Sequence, residues 1–172
     1  TPAGGITIAG DDIPAGGGTI AGDNLRTDGG SCGGSSWLIP EIYHRIPSVN
    51  AVIMAQPMYL MAFAVTGKEI DVRTIPESWL LLREMPVASL GTLVPDSEEI
   101  IGKLAAGIPA VLIANDSVLV TGENLLQAFD RLEVAEMTAR SLIIGQSLGS
   151  VKHITSQDIG EMKKLFGIPT EL

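Results

Sequence analysis

A chain of 172 residues fits one domain on the usual scale of ~100–200 residues, and with 45% hydrophobic and 18% charged residues its composition beyond residue 36 is not that of a disordered segment. The formal charge of −9, with eleven scattered Lys and Arg, excludes the clustered basic surface that nucleic acid or an anionic membrane requires. The single cysteine, Cys32, excludes an intrachain disulfide and a four-thiolate metal site, and fits a reducing, cytoplasmic setting.

Residues 1–36 hold 11 of the 20 glycines and read as a Gly-rich β-turn segment at the edge of the domain that fills 37–172. Within them Pro2–Asp12 repeats as Pro14–Asn24, with nine of eleven positions identical. Gly5 and Gly10 have the spacing of a phosphate-cradling loop, but such a loop needs Lys and then Ser or Thr after its second glycine. Here Asp11–Asp12 follow Gly10 and Asp23–Asn24 follow Gly22, so carboxylates would repel a phosphate. No helical pattern follows either copy to aim a dipole at an anion. "TIAG" in each copy reads instead as a short strand ending in a turn. "TPAGGITIAG" lacks the basic leader and apolar core of a signal peptide. The longest apolar run, "VNAVIMAQPMYLMAFAVTG", is broken by Asn50, Gln56 and Pro57, which makes it strand plus helix rather than a membrane span.

From Trp37 the pattern alternates between helix and strand. Leu38, Ile42 and Ile46 have helical spacing; "NAVIMA" is a buried strand; Pro57 opens a Met-rich helix through Val65, with Met54, Met58 and Met61 spaced for a core. Pro76 suits the first turn of the helix "PESWLLLRE", and "MPVASLGT" is a short strand. "DSEEIIGKLAAG" is a helix capped by Asp96 or Ser97 and stopped at Gly107. "PAVLIAN" and "SVLVTG" are apolar strands joined at Asn115–Asp116. The stretch from Glu123 to Gly149 is a long amphipathic helix, its apolar side marked by Leu126, Phe129, Leu132, Val134 and Met137. On the same helix Asp130, Glu133 and Glu136 form an acidic face suited to a surface or subunit contact, with Asp130, Arg131 and Glu133 as a solvated network. A last helix starts at Ser156 as N-cap and stops at Gly167. Alternating strands and helices make the class α/β.

From Ile42 to the C-terminus, about three quarters of the chain, the sequence resembles the class II aldolase/adducin family of sugar-phosphate aldolases and epimerases. Tyr43, Pro47, Val49 and "AVIMAQ" stand where the family has a helix ending in Tyr and then A-V-V-H-x-H. "SLGT", "VLIANDSVLVTG" and "AFDRLEVAEMTA" follow in family order, as does "ITSQDIGEMKKLF". At the start, "TPAGG" is similar to the family's T-P-x-G and Ser35–Ser36 to its S-S-E, places that contact the substrate phosphate. The resemblance implies a central, mostly antiparallel β-sheet covered by α-helices on both faces, and a homo-oligomer, a tetramer by analogy.

The resemblance also implies a divalent metal, usually zinc, held by three histidines and acting as Lewis acid on the enediolate of the substrate. Carried over position by position, every ligand is changed. The H-x-H pair becomes Met54 and Gln56, and the H-G turn becomes Asp116–Ser117. The proton-moving Glu becomes Trp37, and a proton-donating Tyr becomes Val87. The two histidines, His44 and His153, fall elsewhere and read as surface or satisfied residues, and Cys32 has no placed base. Neutral Met and Gln side chains are weak zinc ligands, so no metal or other cofactor is expected. The expectation is therefore a family domain without zinc-dependent aldol cleavage, serving as a small-molecule-binding or oligomeric module. The alternative is an active carbohydrate-phosphate lyase with an altered metal site. In it Gly4, Ser35, Ser36, Gln56 and Asp116 would line a pocket for a sugar phosphate or other small acidic ligand. A third reading starts from the opening Thr1 and the missing G-N-x-S loop, with an absent N-terminal part supplying ligands.

Overall fold

The computed structural model describes residues 7–10, 37–93 and 98–168, and the second "TIAG" copy and the Asp96 or Ser97 cap lie outside them. In chain order the elements are β1 (Thr7–Gly10), α1 (Leu38–Arg45), β2 (Ala51–Ala55), α2 (Met58–Thr66), α3 (Pro76–Leu82), β3 (Val87–Ala88), α4 (Glu98–Ala105), β4 (Ala110–Ile113), β5 (Ser117–Gly122), α5 (Leu125–Leu148) and α6 (Ser156–Leu165). Short 3-10 turns occupy Val72–Thr74 and Leu90–Leu93. Among the described residues the strands form one sheet in the order β1-β2-β5-β4-β3. Its pairings are antiparallel except for β3 with β4. β1 is the "TIAG" of the first repeat copy, paired as an edge strand from Thr7 opposite Met54 to Gly10 opposite Ala51.

Helices cover both faces of this sheet, which is why β2, β4 and β5 read as unbroken apolar runs rather than as alternation. Ala51, Ile53, Ala55, Leu112, Val118 and Val120 pack under α2, α3 and α5 with Leu60, Phe63, Trp79, Leu82 and Leu132. The opposite residues Val52, Met54, Val111, Ile113 and Leu119 pack under α1 and α4 with Leu38, Ile42, Ile100, Ile101 and Leu104. Arg45 of α1 grips Glu98 of α4 through two bonds of 2.7 and 2.8 Å, and this holds the exposed Glu98 carboxyl below its ordinary range. Under α3, the fully buried Thr138 hydroxyl donates to the Val134 carbonyl at 2.6 Å, so its oxygen accepts from Ser78. That pair satisfies the only hydroxyls α3 and α5 bury against each other among the described residues.

Several sequence expectations need correction. Of the five α5 side chains expected on the apolar side, Leu132 and Val134 are buried, but Leu126 is 70% exposed, Phe129 45% and Met137 39%. Its buried residues are Ala128, Leu132, Val134, Ala135, Thr138, Ala139 and Leu142, on the side that packs against the sheet, α2 and α3. Small residues let the helix approach closely, so side-chain size misreports which side is inside. Met58 is exposed because α2 begins there, ahead of the buried Leu60, Phe63 and Ala64. Strand β3 is only two residues long, because its partner β4 turns away after Ile113. The cap of α6 is Thr155 rather than Ser156: its hydroxyl accepts from Asp158 N–H, and the Asp158 carboxylate accepts from Thr155 N–H. Gly107 and Gly167 both adopt positive φ just past a helix end, as the sequence predicts. No helix of the described residues is long and apolar enough to cross a membrane.

Candidate functional site

The positions that the resemblance equates with metal ligands sit at the end of β2 and in the β4–β5 hairpin. That hairpin closes with a three-residue loop, since Ile113 pairs with Ser117. Asp116 N–H donates to the Ile113 carbonyl at 3.1 Å, closing a four-residue turn whose third residue, Asn115, takes a left-handed φ of 60° that Asn tolerates. Asn115 N–H then donates to the Ala64 carbonyl at 3.1 Å, which pins the loop to the C-terminal end of α2. From the other side Gln56, the first residue after β2, donates its side-chain amide to the Asp116 carbonyl at 2.7 Å. The Ser117 hydroxyl donates to the Asp116 carboxylate at 2.6 Å. Gln56 and Asp116 are thus brought together, while Met54 is sealed at 1% exposure in the α1/α4 core.

The start of α2 is held by a residue that sequence reading placed on an outer acidic face. Pro57 offers no side-chain cap, and α2 has no acid in its first turn. The Glu136 carboxylate, half-buried on α5, accepts from Tyr59 N–H at 3.0 Å and from Leu60 N–H at 2.9 Å. Spacing along α5 alone could not reveal this, because the helix it caps lies some 77 residues away in sequence. Arg131 likewise leaves the expected solvated network: it is half-buried, donates to the Thr121 carbonyl at 2.7 Å, and burial lowers its pKa. Asp130 and Glu133 remain exposed.

Of the other candidates, Trp37 and Val87 are half-buried, each packed against a different core. His44 is exposed on α1, and His153 Nδ1 lies 2.7 Å from Asp71 Oδ2. Gly4, Cys32, Ser35 and Ser36 lie outside the described residues. No group of three or more His, Cys, Asp or Glu able to hold a metal ion occurs among the described residues. The donor set at the ligand positions is a buried thioether, a neutral carboxamide and a single carboxylate. Zinc calls for imidazole, thiolate or several carboxylates, so these residues do not fit it.

Residues 39–143 match the family model of the Class II Aldolase and Adducin N-terminal domain. The chain belongs to the class II aldolase and adducin family. Similar proteins include a 3-oxo-tetronate 4-phosphate decarboxylase of Pectobacterium atrosepticum, 29% identical over 71% of this chain and 58% of that one. An L-fuculose phosphate aldolase of Methanococcus vannielii is 33% identical over 58% of this chain and 54% of that one. The chain therefore spans less than two thirds of the length of the curated relatives it matches. An aldolase II superfamily protein from Pseudomonas syringae superposes with TM-score 0.63 at 14% identity, over 80% of this chain and 57% of that one. The L-fuculose-1-phosphate aldolase from Thermus thermophilus does so with TM-score 0.59 at 20% identity, over 76% and 70%. At such identities these structures speak for the fold, and it is the mixed sheet with helices on both faces that the sequence predicts.

Proposed function

We propose that this class II aldolase-type domain does not carry out zinc-dependent aldol cleavage and serves as a small-molecule-binding or oligomeric module in a cytoplasmic setting. One observation carries the reading: the ligand-equivalent positions hold a thioether sealed in the core at Met54, a neutral carboxamide at Gln56 that braces the Asp116 carbonyl, and a single carboxylate at Asp116 that accepts from Ser117. Rebuilding a zinc centre would require extracting a buried thioether and supplying imidazole, thiolate or further carboxylate ligands that these positions do not carry. The purified protein, freed of chelator, is expected to contain no stoichiometric zinc or manganese by plasma mass spectrometry, and added zinc is expected to leave its melting temperature unchanged. One metal per chain, or a zinc-dependent rise in melting temperature, would overturn this reading.

A second reading is favoured by the names of the relatives, which are a decarboxylase and aldolases of phosphorylated substrates. In it Gln56 and Asp116 remain a polar pocket edge for a sugar phosphate, and turnover proceeds through an altered site. Metal-independent cleavage of L-fuculose phosphate by the purified chain would favour it over the first.

The oligomeric part of the proposal is supported by α5, which exposes Leu126, Phe129, Met137, Ile144 and Leu148 on the side away from the sheet. Five large apolar side chains on one helix are more than a solvated face usually carries. Sedimentation is expected to give a mass that is a multiple of 18.0 kDa, with a tetramer the assembly anticipated from the family. A monomer at high protein concentration would rule out the oligomeric role.

A further inference from the structure

A cavity of about 570 Å³ opens on the α3 side of the molecule, and neither Gln56 nor Asp116 lines it. It lies between the segment that runs from Glu69 through α3 to Pro86 and the helix α6, and Arg73, Trp79, Arg83, Ser156 and Lys163 line it. Arg83 is its most unusual component. It adopts φ 62° and ψ −60°, and Glu84 N–H donates to the Leu82 carbonyl at 2.7 Å across it. That is a γ-turn of the rare, strained hand, which an L-residue adopts at a cost. Nothing about ending α3 demands such a turn, since a glycine would end it without strain.

The turn lays the guanidinium over the Trp79 ring, 4.6 Å from its centroid. One nitrogen, Nη1, is fully covered and has no hydrogen-bond partner among the described residues. No carboxylate pairs with Arg83 among the described residues, and burial alone lowers its pKa. A half-buried cation without a counter-ion is unfavourable unless something else supplies the charge. The acids at the rim do not: Asp71 is engaged by His153 at 2.7 Å and by Arg73 N–H at 2.8 Å, and Glu69 and Glu84 are exposed to water. Arg73 reaches toward Ser156 at 3.4 Å, so the far wall of the cavity also presents donors.

We propose that this cavity binds a small oxyanion, the carboxylate or phosphoryl group of a small organic acid, with Arg83 as its principal cation and Trp79 as the platform that holds the guanidinium in place. The volume falls in the range of small-molecule sites, ~300–1,000 Å³. The planar guanidinium suits the paired oxygens of either group. The strain at Arg83 is then part of the site, because it is what aims a cation where the helix would not.

The test is calorimetric titration of the intact chain with inorganic phosphate and, separately, with malonate, against chloride at matched ionic strength. Saturable binding in the millimolar range or tighter is expected for at least one of them; a protein of charge −9 does not gather anions without a site. Binding of phosphate alone would name a phosphate ester as the ligand class, binding of malonate alone a carboxylic acid, and either supports the proposal. Arg83→Gly is expected to melt no lower than the parent, because glycine takes this φ freely, and yet to bind at least about tenfold more weakly. Arg83→Gln keeps the backbone cost but not the charge and is expected to lose binding equally, which covers the case in which the glycine variant fails to fold. No saturable binding of either anion, or binding unchanged in both variants, would overturn the proposal.

Discussion

Gly122→Ala is expected to leave little folded protein, although it adds a single methyl group. A Cβ at this position would stand 2.6 Å from Ala128 N, 2.8 Å from the Asn124 carbonyl oxygen and 3.1 Å from Ala128 Cα. All three are backbone atoms of the turn that launches α5, and Ala128 N–H and the Asn124 carbonyl are already bonded to each other at 3.1 Å. Gly122 cannot retreat, because its carbonyl accepts from Asn50 N–H at 2.9 Å and its strand pairs with Ala51. Overpacking usually costs about 1–3 kcal/mol when flexible side chains can yield. Here a strand or a helix must move, so a cost at or above the top of that range is expected, a large part of the ~5–15 kcal/mol that holds a domain together. Urea unfolding of whatever soluble protein forms would measure it. Gly102→Ala and Gly145→Ala, both helical with open space where the methyl would go, are the controls and should be neutral or stabilising. An unchanged urea midpoint for Gly122→Ala would mean that the β5–α5 junction has slack that its geometry does not suggest.

This junction illustrates what the sequence could and could not say. The strand "SVLVTG" and the helix after it are legible from an apolar run and amphipathic spacing, whereas the cap Asn124, which accepts from Gln127 N–H at 2.9 Å, comes from the structure and moves the helix start from Glu123 to Leu125. The run of buried strands was legible for a related reason: a sheet covered on both faces has no polar side to interrupt it. What is not legible is distance between elements remote in the chain. The glycine at 122 looks like any strand end until α5 is placed against it. Alanines 128, 135 and 139 look like filler until they prove to be fully buried in the core, and Leu126 and Phe129 then face out. The cavity beside α3 is invisible for the same reason, since it lies between Arg83 and helix α6, far apart in the chain. By contrast, the positions that the resemblance equates with metal ligands, Met54, Gln56 and Asp116, are assigned by their place in motifs and need no fold to be named. How those side chains use their hydrogen bonds needed the fold.

Glu136→Ala is the second large effect, and it bears on the candidate site as well as on stability. The carboxylate serves two N–H groups at the start of α2, a helix end that has neither a capping side chain nor a first-turn acid of its own. Hydrogen bonds to a charged group contribute about 1.5–3 kcal/mol. The favourable placement of that charge at a helix N-terminus adds a few tenths to one more, so a loss of about 3 kcal/mol in urea unfolding is expected. Glu136→Gln retains one acceptor oxygen without the charge and should lose about half as much. The consequence for the site follows from the two ends of α2. Its N-terminal end continues directly from Gln56 and Pro57, and near its C-terminal end the Ala64 carbonyl holds Asn115, the residue before Asp116. Loosening α2 therefore frees both halves of the Gln56–Asp116 pair, and amide exchange in Glu136→Ala should quicken at Asn115 as well as at Tyr59 and Leu60. If only Tyr59 and Leu60 respond, Glu136 caps the helix but does not position the site. If none responds, the cap is not what holds α2. Either way Glu136 is a poor candidate for a general base, because its two oxygens are already occupied by backbone donors at 3.0 and 2.9 Å and would have to abandon a helix end to accept a substrate proton.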